Sequence, residues 1–211
     1  MAAKRIAPEE RKALIVDAAA HLLDERGFGE ITVEMLRDAV GLSKGGLYHY
    51  VQSKNDVLVL VCEMAAQQML EGLDKARAHE GSSRERIEVL VSEHFDLVLR
   101  YGGALWAFFG ERNRLSPVER DRVLVLERKY LHGMKAMFDE MRAAGELREL
   151  DTMILSEAFL GMVNWVARWH RGQTAVSSLR ATLLDLFVGG ALLGGGDPLR
   201  RYPLAPPLGP T

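Results

Sequence analysis

The fold is decided by residues 32–55, TVEMLRDAVGLSKGGLYHYVQSKN. A first helix is expected from Thr32 to Val40, and Gly41 can adopt the left-handed conformation that ends a helix and turns the chain. Ser43 is a good N-cap for a second helix over Lys44 to Val51. Two short helices joined by such a turn predict a helix-turn-helix, whose second helix enters the DNA major groove.

The second predicted helix is poorly built for stability but well suited to a nucleic-acid contact. Gly45 and Gly46 each cost about 1 kcal/mol relative to alanine in a helix interior, yet they allow another surface to approach the backbone closely. The polar side chains around them can donate hydrogen bonds to phosphates or base edges. A plain, solvated surface helix pair is the alternative interpretation. The expected DNA-binding residues are Lys4, Arg5, Thr32, Ser43, Lys44, Gly45, Gly46, Tyr48, His49 and Lys54.

Residues 41–58, GLSKGGLYHYVQSKNDVL, resemble the DNA-binding signature of the TetR/AcrR family of bacterial transcriptional regulators. The likeness covers about residues 10–60. It implies an all-α fold, with an N-terminal three-helix helix-turn-helix domain and a C-terminal helical bundle for ligand binding and dimerisation. Three residues depart from the family pattern: Arg37 replaces a usual alanine, Gly46 a threonine or serine, and Val51 a phenylalanine.

Composition limits the class of protein. Hydrophobic residues make up 48% of the 211-residue chain and charged residues 27%, both near globular averages. Cys62 is the only cysteine, so no intrachain disulfide can form, which is typical of a reducing compartment. The N-terminus lacks a signal-peptide pattern, and no apolar run is long enough for a membrane span. We expect a cytoplasmic protein of the bacterial cytosol or nucleoid.

Charge weighs against an indiscriminate DNA binder. Residues 1–54 hold eight Lys and Arg and eight Asp and Glu, and eight minus eight is zero. Nucleic-acid binders usually show a basic footprint, but Lys4, Arg5, Lys44 and Lys54 fall on the arm, the second helix of the motif and the next helix start. We expect salt-dependent binding of moderate affinity. The alternative is a helical small-molecule-binding or interaction module with a weak or vestigial DNA-binding unit.

Helix caps and breakers divide the chain into three regions. We predict a helix-turn-helix domain over residues 1–54, a helical ligand-binding and dimerisation domain over 55–193, and a flexible Pro/Gly-rich tail over 194–211. A glycine pair at residues 102–103 predicts a kink. The expected helices outside the motif are Pro8 to Arg26, Ser53 to His79, Ser82 to Tyr101, Ala104 to Arg114, Ser116 to Ala144, Asp151 to Arg171 and Ser177 to Leu193.

The last two predicted helices are apolar on more than one face. A helix with several apolar faces must be buried on several faces, which in a chain this short favours burial against a partner. We therefore predict a homodimer through these two helices, with a monomeric interior as the alternative. The small residues that would permit close approach are Ala158, Gly161, Gly189, Gly190 and Ala191.

Aromatic and methionine side chains are concentrated in the second region. Such a stripe is more often core, but the family resemblance favours a small-molecule effector inside the bundle. Residues 160–172, LGMVNWVARWHRG, resemble a segment found in family members that answer to acyl-CoA or other lipid-derived molecules; His170 and Arg171 could meet an anionic head group. The expected pocket residues are Trp106, Phe109, Met134, Met137, Phe138, Met141, Met162, Trp165, Arg168 and Trp169.

Enzyme chemistry has little support in the sequence. The six histidines are scattered without metal-ligand spacing, so we expect no metal site and no catalytic residue. There is also no phosphate loop or nucleophile elbow, and no cofactor is expected. The resemblance implies instead a repressor that a hydrophobic molecule releases from a palindromic DNA operator.

Overall fold

A computed structural model describes residues 7–169 and 175–192, and these residues are almost entirely helical. The bounds are α1 Pro8–Glu30, α2 Val33–Val40, α3 Lys44–Tyr48, α4 Lys54–Ala78, α5 Ser83–Glu111, α6 Pro117–Ala143, α7 Thr152–Trp169 and α8 Val176–Ala191. In the described part of the chain, an isolated bridge between Leu147 and Leu192 is the sole strand-like pairing. The predicted all-α fold, with an N-terminal helix-turn-helix and a C-terminal helical domain, is confirmed.

Local capping builds the helix-turn-helix as the sequence predicts. The Thr32 hydroxyl accepts a hydrogen bond from the Met35 amide at 3.2 Å and so caps α2. Gly41 follows that helix with φ 65° and ψ 26°, in the left-handed region. The Ser43 hydroxyl then caps α3 by accepting from the Gly46 amide at 3.2 Å.

The second helix of the motif is shorter than predicted, ending at Tyr48 rather than at Val51. The amides of Tyr50 and Val51 both donate to the Leu47 carbonyl, at 2.8 and 3.1 Å, which closes the helix in a tight turn. This turn places Val51 in the core, where it is buried. The helix therefore ends before Val51, and the side chain of Val51 is buried in the core instead.

Two expectations about glycine need correction. The first helix, predicted to end at Arg26, resumes after a break at Gly27 (φ 73°, ψ 162°) and reaches Glu30. The predicted kink at residues 102–103 is wrong, because α5 continues unbroken through them. A Cβ on Gly103 would lie 2.7 Å from the Cα of Asp24. Glycine at this position thus permits backbone contact between α1 and α5.

The predicted starts of the long helices are correct. At α4, the Ser53 hydroxyl accepts from the Asp56 amide and the Asp56 carboxylate accepts from the Ser53 amide, both at 3.0 Å. Ser116 and Glu119 form the same reciprocal cap at α6. The expected helix ends at Arg171 and Leu193 and the tail over 194–211 lie outside the described residues.

Two apolar clusters hold the helices together. The first joins the helix-turn-helix to the first half of α4, the second half of α5 and the start of α6; its members include Ile15, Leu36, Leu47, Val61, Tyr101 and Phe108. The second lies among α4 to α8 and includes Phe95, Met134, Phe138, Phe159 and Phe187. Met69 packs against both clusters. A domain boundary at residue 54 stays a prediction, and the first cluster extends beyond it.

No helix in the described part of the chain has the length and apolar character needed to span a bilayer.

Candidate nucleic-acid interface and effector region

Helix α3 presents hydrogen-bond donors on the outside of the helix-turn-helix. Lys44 and His49 are exposed and Tyr48 is half-buried. The Lys44 ammonium lies 5.7 Å from the centre of the Tyr48 ring, and the Tyr48 hydroxyl donates to the Glu34 carboxylate at 3.4 Å. These contacts hold Lys44 and Tyr48 together on the outer side of α3, where a phosphate or a base edge could accept hydrogen bonds.

The two glycines of α3 have different surroundings. A Cβ on Gly46 would lie 3.2 Å from the Ser43 hydroxyl oxygen that caps the helix, so the cap favours glycine there. A Cβ on Gly45 would meet nothing within 4 Å. Packing within the chain therefore does not require glycine at Gly45, and its exposed backbone is open to an external surface.

Three other predicted DNA contacts already have partners inside the protein. Thr32 and Ser43 use their hydroxyl oxygens as helix caps. The Lys54 ammonium donates to the Gly29 carbonyl at 2.8 Å and lies 4.5 Å from the centre of the Phe28 ring. Lys54 therefore ties the start of α4 to the end of α1, and its charge is partly used within the fold.

Arg37, a departure from the family pattern, sits on the outer part of α2. Its guanidinium donates to the Asp38 carboxylate at 2.9 and 2.6 Å. This hydrogen bond, with the charge of Asp38, raises the pKa of Arg37 above its ordinary value. The pair adds no net charge to the motif. Lys4 and Arg5 lie outside the described residues. All the DNA-contact assignments remain predictions.

The predicted pocket residues separate into two groups. The side chains in α6 lie wholly inside the second apolar cluster, and Met162 packs against its edge. The aromatic residues of α5 and α7 instead form a chain at the surface, because the Trp165–Trp169 face of α7 points outward. These ring centres lie 4.9 Å apart for Trp106 and Trp165, 5.8 Å for Trp106 and Phe109, and 5.3 Å for Trp165 and Trp169.

A polar trio that the sequence prediction missed crosses the second apolar cluster. His94 of α5 lies between Tyr130 of α6 and Asn164 of α7, with 3.0 Å from each ring nitrogen to its partner. The Asn164 carbonyl oxygen can only accept, so Nε2 of His94 carries the proton and Nδ1 accepts from the Tyr130 hydroxyl. The missed signal is the position of His94 on the apolar stripe formed with Leu90 and Val91.

Burial sets the protonation of this trio. It lowers the pKa of His94 to about 4, which keeps the ring neutral near pH 7. It also raises the pKa of Tyr130 above its usual range. A neutral, hydrogen-bonded trio links three helices of the bundle without a buried charge.

A groove of about 600 Å³ runs along the seam between α1 and α5. Its sides are formed by Leu23 and Phe28 of α1 and by Leu99 and Trp106 of α5. The Arg168 guanidinium of α7 reaches its edge and lies 5.5 Å from the centre of the Trp106 ring. Trp106 and Arg168 are therefore the predicted pocket residues that this groove brings together.

Cys62 and the acidic side chains offer little chemistry. Burial raises the pKa of the Cys62 thiol, which donates to the Ala104 carbonyl at 3.5 Å inside the first cluster. A thiol held in this way is unreactive. Across residues 7–169 and 175–192, no group of three His, Cys, Asp or Glu side chains could hold a metal ion.

Helices α7 and α8 leave apolar side chains uncovered. Trp169 and Leu186 are 70% and 63% exposed, and Ile154 is similarly exposed. Of the small residues predicted to allow close approach, Gly189 is exposed whereas Ala191 is buried within its own chain. Exposed apolar side chains of this kind are typical of interaction sites.

Two protein-family models match the chain. The model described as "Bacterial regulatory proteins, tetR family" covers residues 15–61. The model described as "Tetracyclin repressor-like, C-terminal domain" covers residues 80–191, more than half of the chain.

Individual relatives are similar to this chain over most of its length. The chain is 22% identical to the fatty acid metabolism regulator protein of Bacillus subtilis (strain 168), over 83% of this chain and 93% of that one. PfmR, a TetR family transcriptional regulator from Thermus thermophilus, is 26% identical with a TM-score of 0.72, over 83% and 97% of the two chains. AibR, solved with isovaleryl coenzyme A and operator DNA, is 23% identical with a TM-score of 0.68, over 85% and 96%, and supports the fold alone.

Proposed function

Because the chain belongs to the TetR family of transcriptional regulators, we propose that it is a repressor that a small hydrophobic effector releases from a near-palindromic DNA operator. The observation that carries the proposal is the capped helix α3, with Lys44, Tyr48 and His49 on its outer side. Lys44, Tyr48 and His49 would contact base edges or clamp the backbone, and Ser43 and Thr32 would approach phosphates.

A two-fold dimer fits such an operator. Helix-turn-helix dimers place their recognition helices about 34–36 Å apart, or multiples of that, on half-sites related by symmetry. The exposed apolar faces of α7 and α8 support a dimer through these two helices, since Trp169 and Leu186 would otherwise remain in water. Two copies would also present two α3 surfaces to the DNA.

The relatives and the side chains of the bundle support a class of effector. One relative is named for fatty acid metabolism, and one structural neighbour was solved with isovaleryl coenzyme A. Methionine and aromatic side chains of the second apolar cluster, such as Met137 and Phe138, suit an apolar body, and the sequence prediction assigns Arg168 to an anionic head. We therefore propose an acyl-CoA or another lipid-derived molecule as the effector.

Release from DNA requires that the effector distinguish two conformations. A ligand shifts such an equilibrium only through its different affinities for the two states. Helix α4, Lys54–Ala78, links the helix-turn-helix to the bundle, and Lys54 binds the end of α1 directly. An effector that moves α4 would therefore change the separation of the two recognition helices. Such a regulator works where the DNA is, in the bacterial cytosol.

The test is a double substitution on α3. Lys44→Ala combined with Tyr48→Phe removes a cation and a hydroxyl donor, and it should abolish operator binding while the dimer stays intact. Electrophoretic mobility shift measures the binding, and analytical ultracentrifugation measures the dimer. Lys129→Ala, at an exposed position of α6, is the matched control and should bind as the wild type. Wild-type affinity in the double variant would contradict this assignment of α3.

A second candidate is an interaction or small-molecule-binding module with a weak DNA-binding unit. Two observations favour it: residues 1–54 carry no net charge, and the cations of Arg37 and Lys54 already have partners within the fold. This candidate predicts ligand binding by the full chain with equal, weak binding to any DNA duplex. Sequence-dependent binding would exclude it.

A further inference from the structure

The groove between α1 and α5 is kept open by glycine. Gly27 and Gly29 of α1 and Gly102 and Gly110 of α5 all line it. A Cβ added to any of these four would meet nothing within 4 Å. Side chains at these positions would therefore extend into the open space of the groove, and at Gly27 the φ of 73° also requires glycine.

Packing accounts for only one glycine of the α5 pair. Gly103 is required by its contact with α1, since a Cβ there would lie 2.7 Å from the Cα of Asp24. Gly102 has free space above it and lies within a continuous helix, where glycine is less stabilising than alanine. Gly110 also lies within α5 and has free space where a Cβ would be. Fold stability alone would favour a side chain at Gly102 and Gly110, so an open groove is the property that their glycines maintain.

The lining of the groove points to a class of ligand. Phe28, Leu99 and Trp106 offer apolar surface within a lining that is otherwise largely polar, and a volume of about 600 Å³ lies in the usual range for small-molecule sites. Arg168 makes no ion pair with any described carboxylate, whereas Glu111, the other charged residue at the α5 end, is paired with Arg114 at 3.0 Å. An unpaired guanidinium beside an indole ring favours an anionic group attached to an apolar body.

The carboxylate of Asp24 limits the charge of that ligand. Asp24 lines the α1 side of the groove and would repel a second anionic group. A single anionic group near Arg168, with the apolar body extending over Trp106 towards Phe28, satisfies both ends.

We infer that the α1–α5 groove is a binding site for an apolar molecule with one anionic group, placed between the DNA-binding unit and the bundle. Its occupant would touch α1, α5 and α7 together, beside the Gly103 contact at which α1 and α5 meet. A ligand there changes the position of α1 relative to α5 without passing through the bundle interior. The existence of this binding site does not depend on the proposed function, but a role for the site in regulation does.

The test uses anilinonaphthalene sulfonate, a fluorescent apolar anion, and its neutral analogue phenylnaphthylamine as probes of the full-length protein. Gly102→Leu fills the groove and should weaken both probes by about tenfold or more. Arg168→Gln removes the cation and should weaken the sulfonate by about tenfold while leaving the neutral probe unchanged. Lys129→Leu places the same added side chain on α6, away from the groove, and should bind both probes as the wild type does.

The inference would be overturned if each probe bound Gly102→Leu as tightly as it binds the wild type. It would also be overturned if the wild type showed no saturable binding of the sulfonate. A circular dichroism melt of Gly102→Leu shows that the variant is folded, and Gly102→Ala repeats the test with a smaller side chain. The proposed function is assessed separately by operator binding without any probe. Suppose that the variants lose probe binding and that the wild type binds no operator. The groove would then be supported as a binding site, and the repressor proposal would be refuted.

Discussion

Substitution of Gly103 by alanine tests the contact between α1 and α5. The new Cβ would lie 2.7 Å from the Cα and 2.8 Å from the backbone nitrogen of Asp24, neither of which can rotate away. Overpacking of this kind costs about 1–3 kcal/mol. Replacing a helical glycine returns about 0.5–1 kcal/mol. The net loss of unfolding free energy should be about 0–2.5 kcal/mol, which lowers the Tm by up to roughly 10 °C for a chain of this size.

The adjacent glycine supplies the control. Gly102→Ala changes the same residue type in the same helix but meets nothing within 4 Å, so its Tm should equal or exceed that of the wild type. Thermal unfolding followed by circular dichroism, at one protein concentration and in the absence of DNA, compares the three proteins. Equal Tm values for Gly103→Ala and Gly102→Ala would refute the close packing of α1 on α5.

Two other predictions concern the bundle. The pKa of His94 is about 4 in the folded protein and about 6.5 in an unfolded chain, so protons bind the unfolded state more readily, and roughly 3 kcal/mol of stability should be lost as the pH falls from 6.5 to 4. Urea unfolding at a series of pH values should show this loss in the wild type and a shallower one in His94→Gln; equal slopes would contradict the buried neutral ring. Leu186→Glu, at an exposed position of α8, should shift sedimentation from dimer to monomer, while Glu149→Ala, outside α7 and α8, should not.

Local signals made the DNA-binding half predictable. Thr32, Gly41, Ser43 and Ser53 each determine a helix end through a hydrogen bond or a backbone conformation that depends on neighbouring residues. Family membership confirms the resemblance drawn from this segment, and with it the prediction that the chain is a transcriptional regulator and not an enzyme. The roles of individual side chains at the DNA remain predictions.

Long-range packing accounts for what the sequence did not reveal. A glycine pair at residues 102–103 indicates a kink by local propensity, but α5 is continuous through both residues, and Gly103 instead allows close contact with the Asp24 backbone. The trio around His94 depends on three helices that are distant in sequence, so its spacing shows no motif.

The division of the predicted pocket has a similar cause. Methionines of α6 and tryptophans of α7 belong to one compositional cluster, yet the rotation of each helix decides which of them face inward. Met137 is fully buried and Trp169 is largely exposed. Composition alone carries no information about that rotation. The groove beside Trp106 could not be predicted either, because the sequence does not show that its glycines border open space.

The most direct test of the repressor proposal is a fluorescence-polarisation titration of the full-length protein against its own upstream intergenic DNA, at two salt concentrations. A scrambled duplex of the same length and composition is the control. We expect saturable binding that weakens with salt and still exceeds binding to the scrambled duplex at the higher salt concentration. Equal, weak binding to both duplexes would contradict the account of this protein as a regulator that recognises a specific operator.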